Sequence, residues 1–204
     1  MENFDLRAKD YDTDKRLKRA KAVADEIREH IVDGHRKSAI EYGCGTGLVG
    51  IQLVHEFKTL LFVDSSMGMI ERVNQKLNEL KNPAASALCC DFMNHIPQGL
   101  QADYIFSSLV LHHIKDTEKI LKRLHNALCS GGHLLIVDVD KEDGSFHAKY
   151  PDFDGHNGFD QDFLAKLAVN TGFAEVKSQT FYHGSKTVDE RDAAYSLFIL
   201  DAKK

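Results

Sequence analysis

Apolar residues follow two different patterns along this chain. Between residues 15 and 32 they fall on one face of a helix, with charged residues between them, at Leu17, Ala20, Ala24, Ile27 and Ile31. This spacing predicts an amphipathic helix with one face to bury. Elsewhere the apolar residues form short continuous runs between polar or glycine-rich segments. Such runs are typical of strands that are buried on both faces of a sheet.

The apolar runs alternate with stretches of helical period. Strands are predicted at residues 38–42, 59–63, 86–90, 102–107 and 133–139, and helices at residues 48–55, 67–80 and 117–128. Alternating strands and helices favour a parallel sheet with helices on both faces and right-handed crossovers. Ligands of such sheets bind at the carboxyl ends of the strands.

The last part of the chain departs from this alternation. Residues 159–171 have the pattern of a helix, whereas residues 173–181 and 194–200 both have the pattern of strands, separated by about a dozen residues without a helix. Two strands joined in this way are expected to pair antiparallel. We therefore predict an α/β fold of Rossmann-like type, a doubly wound, mostly parallel seven-stranded sheet with helices on both faces and a C-terminal antiparallel hairpin.

The chain has the size and composition of one domain. Its 204 residues are 43% hydrophobic and 28% charged, with only three prolines, so a core can form without disulfides or a structural metal. We expect a single domain, in which residues 1–34 form a helical cap on a core of residues 35–204.

Charge and cysteine content narrow the partners and the location. The net charge of -5 and the pI of about 6.1 provide no basic surface for a nucleic acid. The first residues lack the pattern of a signal peptide, and no segment has the roughly 18 to 20 apolar residues of a membrane span. The cysteines show no Cys-x-x-Cys spacing, at Cys44, Cys89, Cys90 and Cys129. We expect free thiols, a cytoplasmic location, and neither a membrane nor a nucleic-acid partner.

A glycine-rich segment covers residues 39–50 (AIEYGCGTGLVG), where a predicted strand must turn sharply into a helix. Without Cβ atoms the backbone can approach a ligand and offer its N–H groups. Asp64 ends the next predicted strand, about 20 residues further on, where a carboxylate can accept the hydroxyls of a ribose. The combination predicts a nucleoside site.

The glycines alone do not identify the nucleoside. Gly45, Gly47 and Gly50 also satisfy the G-x-G-x-x-G spacing of dinucleotide sites. A glycine turn that only packs a helix on a sheet would look the same. The surrounding segments must therefore separate these interpretations.

Those segments resemble the class I S-adenosylmethionine (SAM)-dependent methyltransferases over nearly the whole chain. The four similar motifs are residues 40–47 (IEYGCGTG), which include an acid two residues before the first glycine, 62–70 (FVDSSMGMI), 90–92 (CDF) and 104–114 (YIFSSLVLHHI). The aromatic–Asp pairs Phe4–Asp5 and Tyr11–Asp12 are similar to the family's N-terminus, and residues 172–176 (GFAEV) to the approach to its terminal hairpin. No separate substrate domain is evident, so the acceptor is undetermined.

The resemblance implies a role for each motif residue. Glu41 and the backbone of Gly43, Cys44 and Gly45 would hold the methionine part of SAM, and Asp64 the ribose. Asp91 would accept a hydrogen bond from the adenine amino group, while the Phe92 amide meets a ring nitrogen and Met69 packs on the base. Further cofactor contacts are expected at Tyr11, Ser65, Ser107 and Ser108. Structural roles are the alternatives for Asp64 (a helix cap), Met69 (a core residue) and Asp91 (a solvated acid).

The acceptor is expected where the fourth predicted strand ends, next to Ser107 and Ser108. His112 and His113 follow that strand, and a neutral imidazole there can take a proton from a nucleophile. We predict that His113 and His112 are catalytic. The alternative is a rim histidine that binds the backbone, because in-line positioning alone supplies much of the rate of methyl transfer.

An irregular, aromatic-rich segment of residues 146–159 follows the fifth predicted strand. We predict a lid over the acceptor, with His147 and Tyr150 joining His113 in substrate binding. Its histidines and acids have no tight ligand spacing such as His-x-x-x-His, so no metal is predicted.

The preferred function is transfer of the methyl group of SAM to a small molecule, by in-line displacement at the sulfonium methyl with S-adenosylhomocysteine as product. A nicotinamide-dependent oxidoreductase is one alternative, since Tyr182 and Lys186 have a Tyr-x-x-x-Lys spacing. Gly184 and the predicted strand would separate that pair, and Glu41 would repel a pyrophosphate. A non-catalytic SAM-binding domain is the other alternative.

Overall fold

The computed structural model describes residue 8 and residues 11–150, 152–188 and 191–204. The Phe4–Asp5 pair and Pro151 of the expected lid lie outside these residues. Within them the chain forms one seven-stranded sheet with the order β3-β2-β1-β4-β5-β7-β6. Its strands are β1 (Ser38–Tyr42), β2 (Thr59–Asp64), β3 (Ala85–Cys89), β4 (Ala102–Ser108), β5 (Leu128–Val139), β6 (Ala174–Val188) and β7 (Arg191–Lys203).

The first five strands are parallel, while β7 pairs antiparallel with both β5 and β6. The predicted Rossmann-like, mostly parallel sheet with an antiparallel C-terminal hairpin is therefore confirmed. Strand order reverses between β1 and β4, and a crevice forms at such a switch point, outside the carboxyl ends of the strands. Glu41 pairs with Phe62 of β2 and Phe106 of β4, which places it next to this crevice.

Helices cover both faces because alternate strand residues point to opposite sides. The helices are α1 (Asp14–Glu29), α2 (Gly50–Leu53), α3 (Met67–Leu80), α4 (Thr117–Ala127) and α5 (Gln161–Asn170). The first three pack on one face, in a core that contains Ala39 and Phe106. The last two pack on the other face, where Ile40 and Ile105 are buried. All helices within the described residues are too short or too polar to cross a membrane.

The C-terminal hairpin is longer than its apolar pattern predicted. We expected strands at residues 173–181 and 194–200, but the ladder continues through pairs such as Gly184–Tyr195 and Thr187–Asp192. The expected turn of about a dozen residues was therefore wrong, because only residues 189 and 190 lie between the two strands. Backbone hydrogen bonds extend a ladder without apolar side chains, so a polar extension leaves no hydrophobic signal.

Candidate functional site

A cavity of about 280 Å³ opens at the carboxyl ends of the parallel strands, close to the lower end of the range for small-molecule sites. Its wall comes from the segments after β1, β2, β3 and β4, together with α1 and the residues before it. It contains most of the predicted cofactor residues: Tyr11, Glu41, Gly43, Cys44, Gly45, Asp64, Ser65, Met69, Asp91, Phe92 and Ser108. Ser107 is buried and is not part of this wall.

The glycine-rich segment turns sharply because three of its glycines have positive φ angles, +68° at Gly43, +52° at Gly45 and +76° at Gly47. Residues with a Cβ rarely adopt this conformation. A Cβ on Gly43 would also lie 2.4 Å from a methyl carbon of Val110, so the segment after β4 packs directly on this turn. The turn therefore forms one wall of the cavity and is packed between it and the segment after β4.

Asp64 connects this turn to the start of α3. One carboxylate oxygen accepts a hydrogen bond from the Gly45 N–H at 2.8 Å, and the other accepts from the Ser66 N–H at 2.8 Å. The N-terminus of α3 is capped by Ser66, whose side chain accepts from the Met69 N–H. Asp64 is therefore not the helix cap, and these two backbone N–H groups hold its carboxylate at the cavity wall.

Glu41 is a buried carboxyl group, one oxygen of which has no hydrogen-bond partner among the described residues. Only 2% of the residue is exposed. Its Oε1 accepts from the Gly50 N–H at 3.2 Å, while its buried Oε2 has no hydrogen-bond partner among the described residues. Burial, reinforced by the nearby Asp64 carboxylate, raises the pKa of Glu41 to about 8. A buried acid of this kind is costly unless a donor or a cation compensates it.

The far end of the cavity is formed by the segment after β3. Asp91 accepts hydrogen bonds from the Met93 N–H at 2.8 Å and from the Asn94 side-chain amide at 2.6 Å. Phe92 is fully buried and stacks on Tyr42, with 5.5 Å between the ring centroids. Met69 is buried and also lines the cavity. Its role as a core residue is therefore compatible with the predicted contact to a ligand.

A polar network connects the N-terminal segment to the glycine turn. The sequence did not predict this network. Asp12 accepts a hydrogen bond from the Thr46 hydroxyl at 2.5 Å and forms an ion pair with Lys76 at 2.8 Å. Lys76 also donates to the Thr46 carbonyl at 2.6 Å. The Arg16 guanidinium lies 4.1 Å from the centre of the Tyr11 ring, and both residues line the cavity. Lysine and arginine residues on the polar face of an amphipathic helix are usually exposed to solvent. The sequence pattern therefore did not predict these contacts.

The segment after β4 forms the opposite wall. Leu109 has a φ of +59°, which is unusual for a residue with a large side chain, and its N–H donates to the Val137 carbonyl. A short 3₁₀ helix follows at Leu111–His113. His113 is half-buried and lines the cavity together with Ser108 and Leu109. The structure thus places His113 where the sequence predicted an acceptor.

His112 is not part of the cavity wall. It is 2% exposed, and its Nδ1 lies 2.5 Å from Oδ1 of the fully buried Asp138 on β5. Asp138 also accepts from the backbone N–H of His112, so this contact fixes both the ring and the turn that carries it. The catalytic role predicted for His112 is not supported by contact with the cavity.

None of the described residues of the expected lid lines the cavity, and Phe146, His147 and Phe153 pack against His112. His147 stacks on Phe153 with 3.7 Å between ring centroids, and the His156 N–H donates to the His112 carbonyl at 2.7 Å. Neither His147 nor Tyr150 is part of the cavity wall. Burial, with repulsion from the neighbouring His112 and His113, lowers the pKa of His147 to about 3. The substrate contacts predicted for His147 and Tyr150 remain predictions.

The Tyr182 and Lys186 side chains have different surroundings. Both lie on β6, where Tyr182 packs 6.1 Å from the Tyr195 ring and Lys186 donates to the Phe146 carbonyl at 2.7 Å. Residues four apart on an extended strand are separated by about 13 Å. The helical pair of a nicotinamide-dependent reductase is therefore not formed by these residues.

Comparisons with known proteins identify the family. The family model of the methyltransferase domain matches residues 15–178. An uncharacterized methyltransferase of Schizosaccharomyces pombe is 26% identical over 180 residues, which cover 81% of this chain and 63% of that protein. Phosphoethanolamine N-methyltransferase 2 of Caenorhabditis elegans is 26% identical over 147 residues, which cover 70% of this chain and 34% of that protein.

Solved structures show the same fold. A SAM-dependent methyltransferase of Aquifex aeolicus superposes with a TM-score of 0.71 at 17% identity, covering 98% of this chain and 97% of that one. Phosphoethanolamine N-methyltransferase 2 of Haemonchus contortus, solved with S-adenosyl-L-methionine, superposes with a TM-score of 0.73 at 18% identity, covering 90% of this chain and 52% of that one. This chain thus spans about half of the Haemonchus protein and less than two thirds of the fission yeast relative. Because the family model covers most of the chain, the protein belongs to the methyltransferase-domain family, among the class I SAM-dependent methyltransferases.

Proposed function

We propose that this protein binds SAM in the cavity at the carboxyl ends of its strands and transfers the methyl group to a small molecule. The observation that carries this proposal is Glu41, whose buried Oε2 has no hydrogen-bond partner among the described residues and whose carboxyl lies at the cavity wall. A nucleoside ligand with a cationic group would compensate this acid. The diphosphate of a nicotinamide cofactor would not compensate it, because a second anion disfavours the ionised form of the acid.

The other wall residues fit the remaining parts of SAM. Asp64, held by Gly45 and Ser66, presents acceptors for two ribose hydroxyls. At the far end, Asp91 offers a carboxylate for the adenine amino group, and Phe92 and Met69 offer an apolar surface for the base. The glycine turn between these points lets the ligand approach the backbone. We assign the methionine part of SAM to Glu41 and this turn.

When bound, SAM supplies a methyl group on a positively charged sulfur, which is a good leaving group for in-line displacement. The protein's contribution is then mainly to hold the acceptor in line with that methyl group and to exclude water. Ser108 and His113 lie on the wall after β4 and mark the acceptor end. His113, on this wall, would take a proton from a hydroxyl, amine or thiol of the acceptor.

A small polar metabolite is the acceptor class that these observations favour. The net charge of -5 disfavours a nucleic acid as acceptor. Two of the similar proteins are phosphoethanolamine N-methyltransferases, which are named after a small molecule. The cytoplasmic location and the single-domain organisation, with residues 1–34 as a cap, stay predictions from the sequence.

A non-catalytic SAM-binding role is the second candidate, because none of the residues that would hold the cofactor requires an acceptor.

Isothermal titration calorimetry with SAM, S-adenosylhomocysteine and NADH tests the choice of cofactor. We expect both SAM and its product to bind in a one-to-one ratio and NADH to show no measurable heat, because the wall after β1 carries an acid where a diphosphate would lie. Binding of NADH without binding of SAM would refute the proposal. Incubation with methyl-labelled SAM and a panel of small amines, thiols and phenols then separates the two candidates. Transfer of label to any member supports catalysis, whereas no transfer across the panel supports a binding-only role.

Replacing His113 with glutamine is expected to lower the rate of methyl transfer about tenfold and to leave SAM affinity within about threefold. General-base groups commonly contribute 10²- to 10⁴-fold, and we expect less here because alignment supplies much of the rate. Single-turnover rates and calorimetry measure the two quantities. The exposed His55 provides the matched control, since His55→Gln should change neither. An unchanged rate in His113→Gln would remove His113 from the acceptor site.

A further inference from the structure

Three histidines from two distant parts of the chain meet behind the cavity wall. His112 and His113 lie on the 3₁₀ helix after β4, and His147 ends the short 3₁₀ helix Ser145–His147. Their ring centroids are 4.2 Å apart for His112 and His113, 4.9 Å for His112 and His147, and 5.6 Å for His113 and His147. One nitrogen from each ring lies within 4.8 Å of the nitrogens of the other two. We name these three residues the histidine cluster.

We propose that the histidine cluster binds one divalent cation of the zinc class. Imidazole nitrogens are preferred ligands of zinc, copper, nickel and iron, and zinc–nitrogen bonds of 2.0–2.1 Å in a tetrahedral site place the nitrogens about 3.4 Å apart. From a separation of at most 4.8 Å, each nitrogen would move by less than about 1 Å to reach this geometry. Side-chain rotations of that size need no change in the backbone.

Asp138 provides the support that metal-binding histidines usually have. Its Oδ1 lies 2.5 Å from His112 Nδ1, and the carboxyl group is fully buried. A carboxylate at one ring nitrogen orients the imidazole and leaves the other nitrogen to the metal. Asp138 also contributes a buried negative charge that offsets part of the charge of the cation. Lys186 brings a positive charge that opposes binding of a cation near this cluster. Its Nζ lies 4.7 Å from the centre of the Phe146 ring.

His147 carries the second independent sign of a ligand. It is 7% exposed, and its buried Nδ1 has no hydrogen-bond partner among the described residues. An unpaired buried nitrogen costs free energy, and coordination through this atom would satisfy it. Stacking on Phe153 holds the ring in this position.

The cluster adjoins the cavity because His113 belongs to both. Three protein ligands leave one tetrahedral position open, as in catalytic zinc sites. A water, thiol or hydroxyl in that position would have a lowered pKa and would lose its proton more readily. With an ion bound, His113 would act as a ligand and the ion would acidify the acceptor. This consequence rests on the proposed function, whereas metal binding itself does not.

Metal binding is tested with chelator-treated protein that carries no histidine tag. We expect Zn²⁺ and Co²⁺ to bind in a one-to-one ratio, and Co²⁺ to give the intense visible absorption of a four- or five-coordinate site. His147→Gln and His112→Gln are each expected to weaken Co²⁺ binding at least tenfold, and Asp138→Asn by about 10- to 100-fold. His55→Gln changes an exposed histidine outside the cluster and should bind like the unchanged protein.

Circular dichroism and thermal unfolding of each variant separate loss of a ligand from loss of the fold. A His147→Gln protein that stays folded and binds Co²⁺ as tightly as His55→Gln would overturn the proposal, as would the absence of one-to-one binding in the unchanged protein. Calorimetry with SAM keeps the two proposals apart. Binding of SAM without binding of metal refutes only the histidine site, and binding of metal without binding of SAM refutes only the proposed function.

Discussion

Replacing Asp64 with alanine is expected to weaken SAM binding at least about 100-fold. Two ribose hydroxyls would each lose a hydrogen bond to a charged acceptor, and such bonds contribute about 1.5–3 kcal/mol each. The carboxylate also fixes the cavity wall, since it accepts hydrogen bonds from the backbone N–H groups of Gly45 and Ser66. Removing it therefore loosens the glycine turn as well as the ligand contact. Calorimetry with SAM and with S-adenosylhomocysteine measures the effect.

Two further variants separate these contributions. Asp64→Asn keeps one side-chain acceptor but loses the charge, so we expect it to bind SAM with an affinity between those of Asp64→Ala and the unchanged protein. Asp160 also accepts a backbone N–H, at the start of α5 and away from the cavity. Asp160→Ala should cost about 1 kcal/mol of stability with no change in SAM affinity. Wild-type affinity in a folded Asp64→Ala protein would show that the ribose lies elsewhere.

Replacing Glu41 with glutamine is expected to stabilise the SAM-free protein at alkaline pH while weakening SAM binding. Burial raises the pKa of Glu41 to about 8 in the folded protein, whereas an acid in the unfolded chain has a pKa near 4.5. Between these values the folded state holds a proton that the unfolded state has lost. The free energy of unfolding therefore falls as pH rises from about 4.5 to 8 and levels off above. Glutamine is neutral throughout and removes this dependence.

The expected difference is on the order of 5 kcal/mol at pH 9 and close to zero at pH 4.5. Near pH 4.5 the two proteins are comparable, because a protonated Glu41 and a glutamine both place a neutral polar group opposite the Gly50 N–H. Urea unfolding at several pH values measures the difference, and Glu79→Gln, at an exposed acid, is the matched control. A difference between Glu41→Gln and the unchanged protein that stays constant with pH would contradict the raised pKa.

The same substitution tests the assigned position of the methionine part of SAM. A cationic ligand beside Glu41 favours its ionised form, so SAM binding at pH 7 should release a proton in the unchanged protein and none in Glu41→Gln. Calorimetry in two buffers of different ionisation enthalpy measures that proton. We expect the affinity of Glu41→Gln for SAM to fall about tenfold, which corresponds to about 1.4 kcal/mol. Equal proton release in both proteins would place the cation away from Glu41.

The sequence by itself determined the parallel sheet and the edge at which the cavity opens. Buried parallel strands must be apolar throughout and must be separated by helices, so their periodicity is visible without any neighbour. The glycine turn is equally local, because positive φ angles at Gly43, Gly45 and Gly47 restrict the residue type directly. Asp64 could be placed because carboxyl ends of neighbouring parallel strands meet at one edge.

Tertiary structure decided what depends on contacts between distant segments. The polar continuation of the C-terminal hairpin left no hydrophobic signal, and the network of Asp12, Thr46 and Lys76 joins three segments that no spacing relates. Only the fold gave the adjacent His112 and His113 different partners, Asp138 for the first and the cavity wall for the second, and brought His147 to them from 34 residues further along. Local pattern reports which face of an element is buried, whereas the partner of a buried polar group is set by packing.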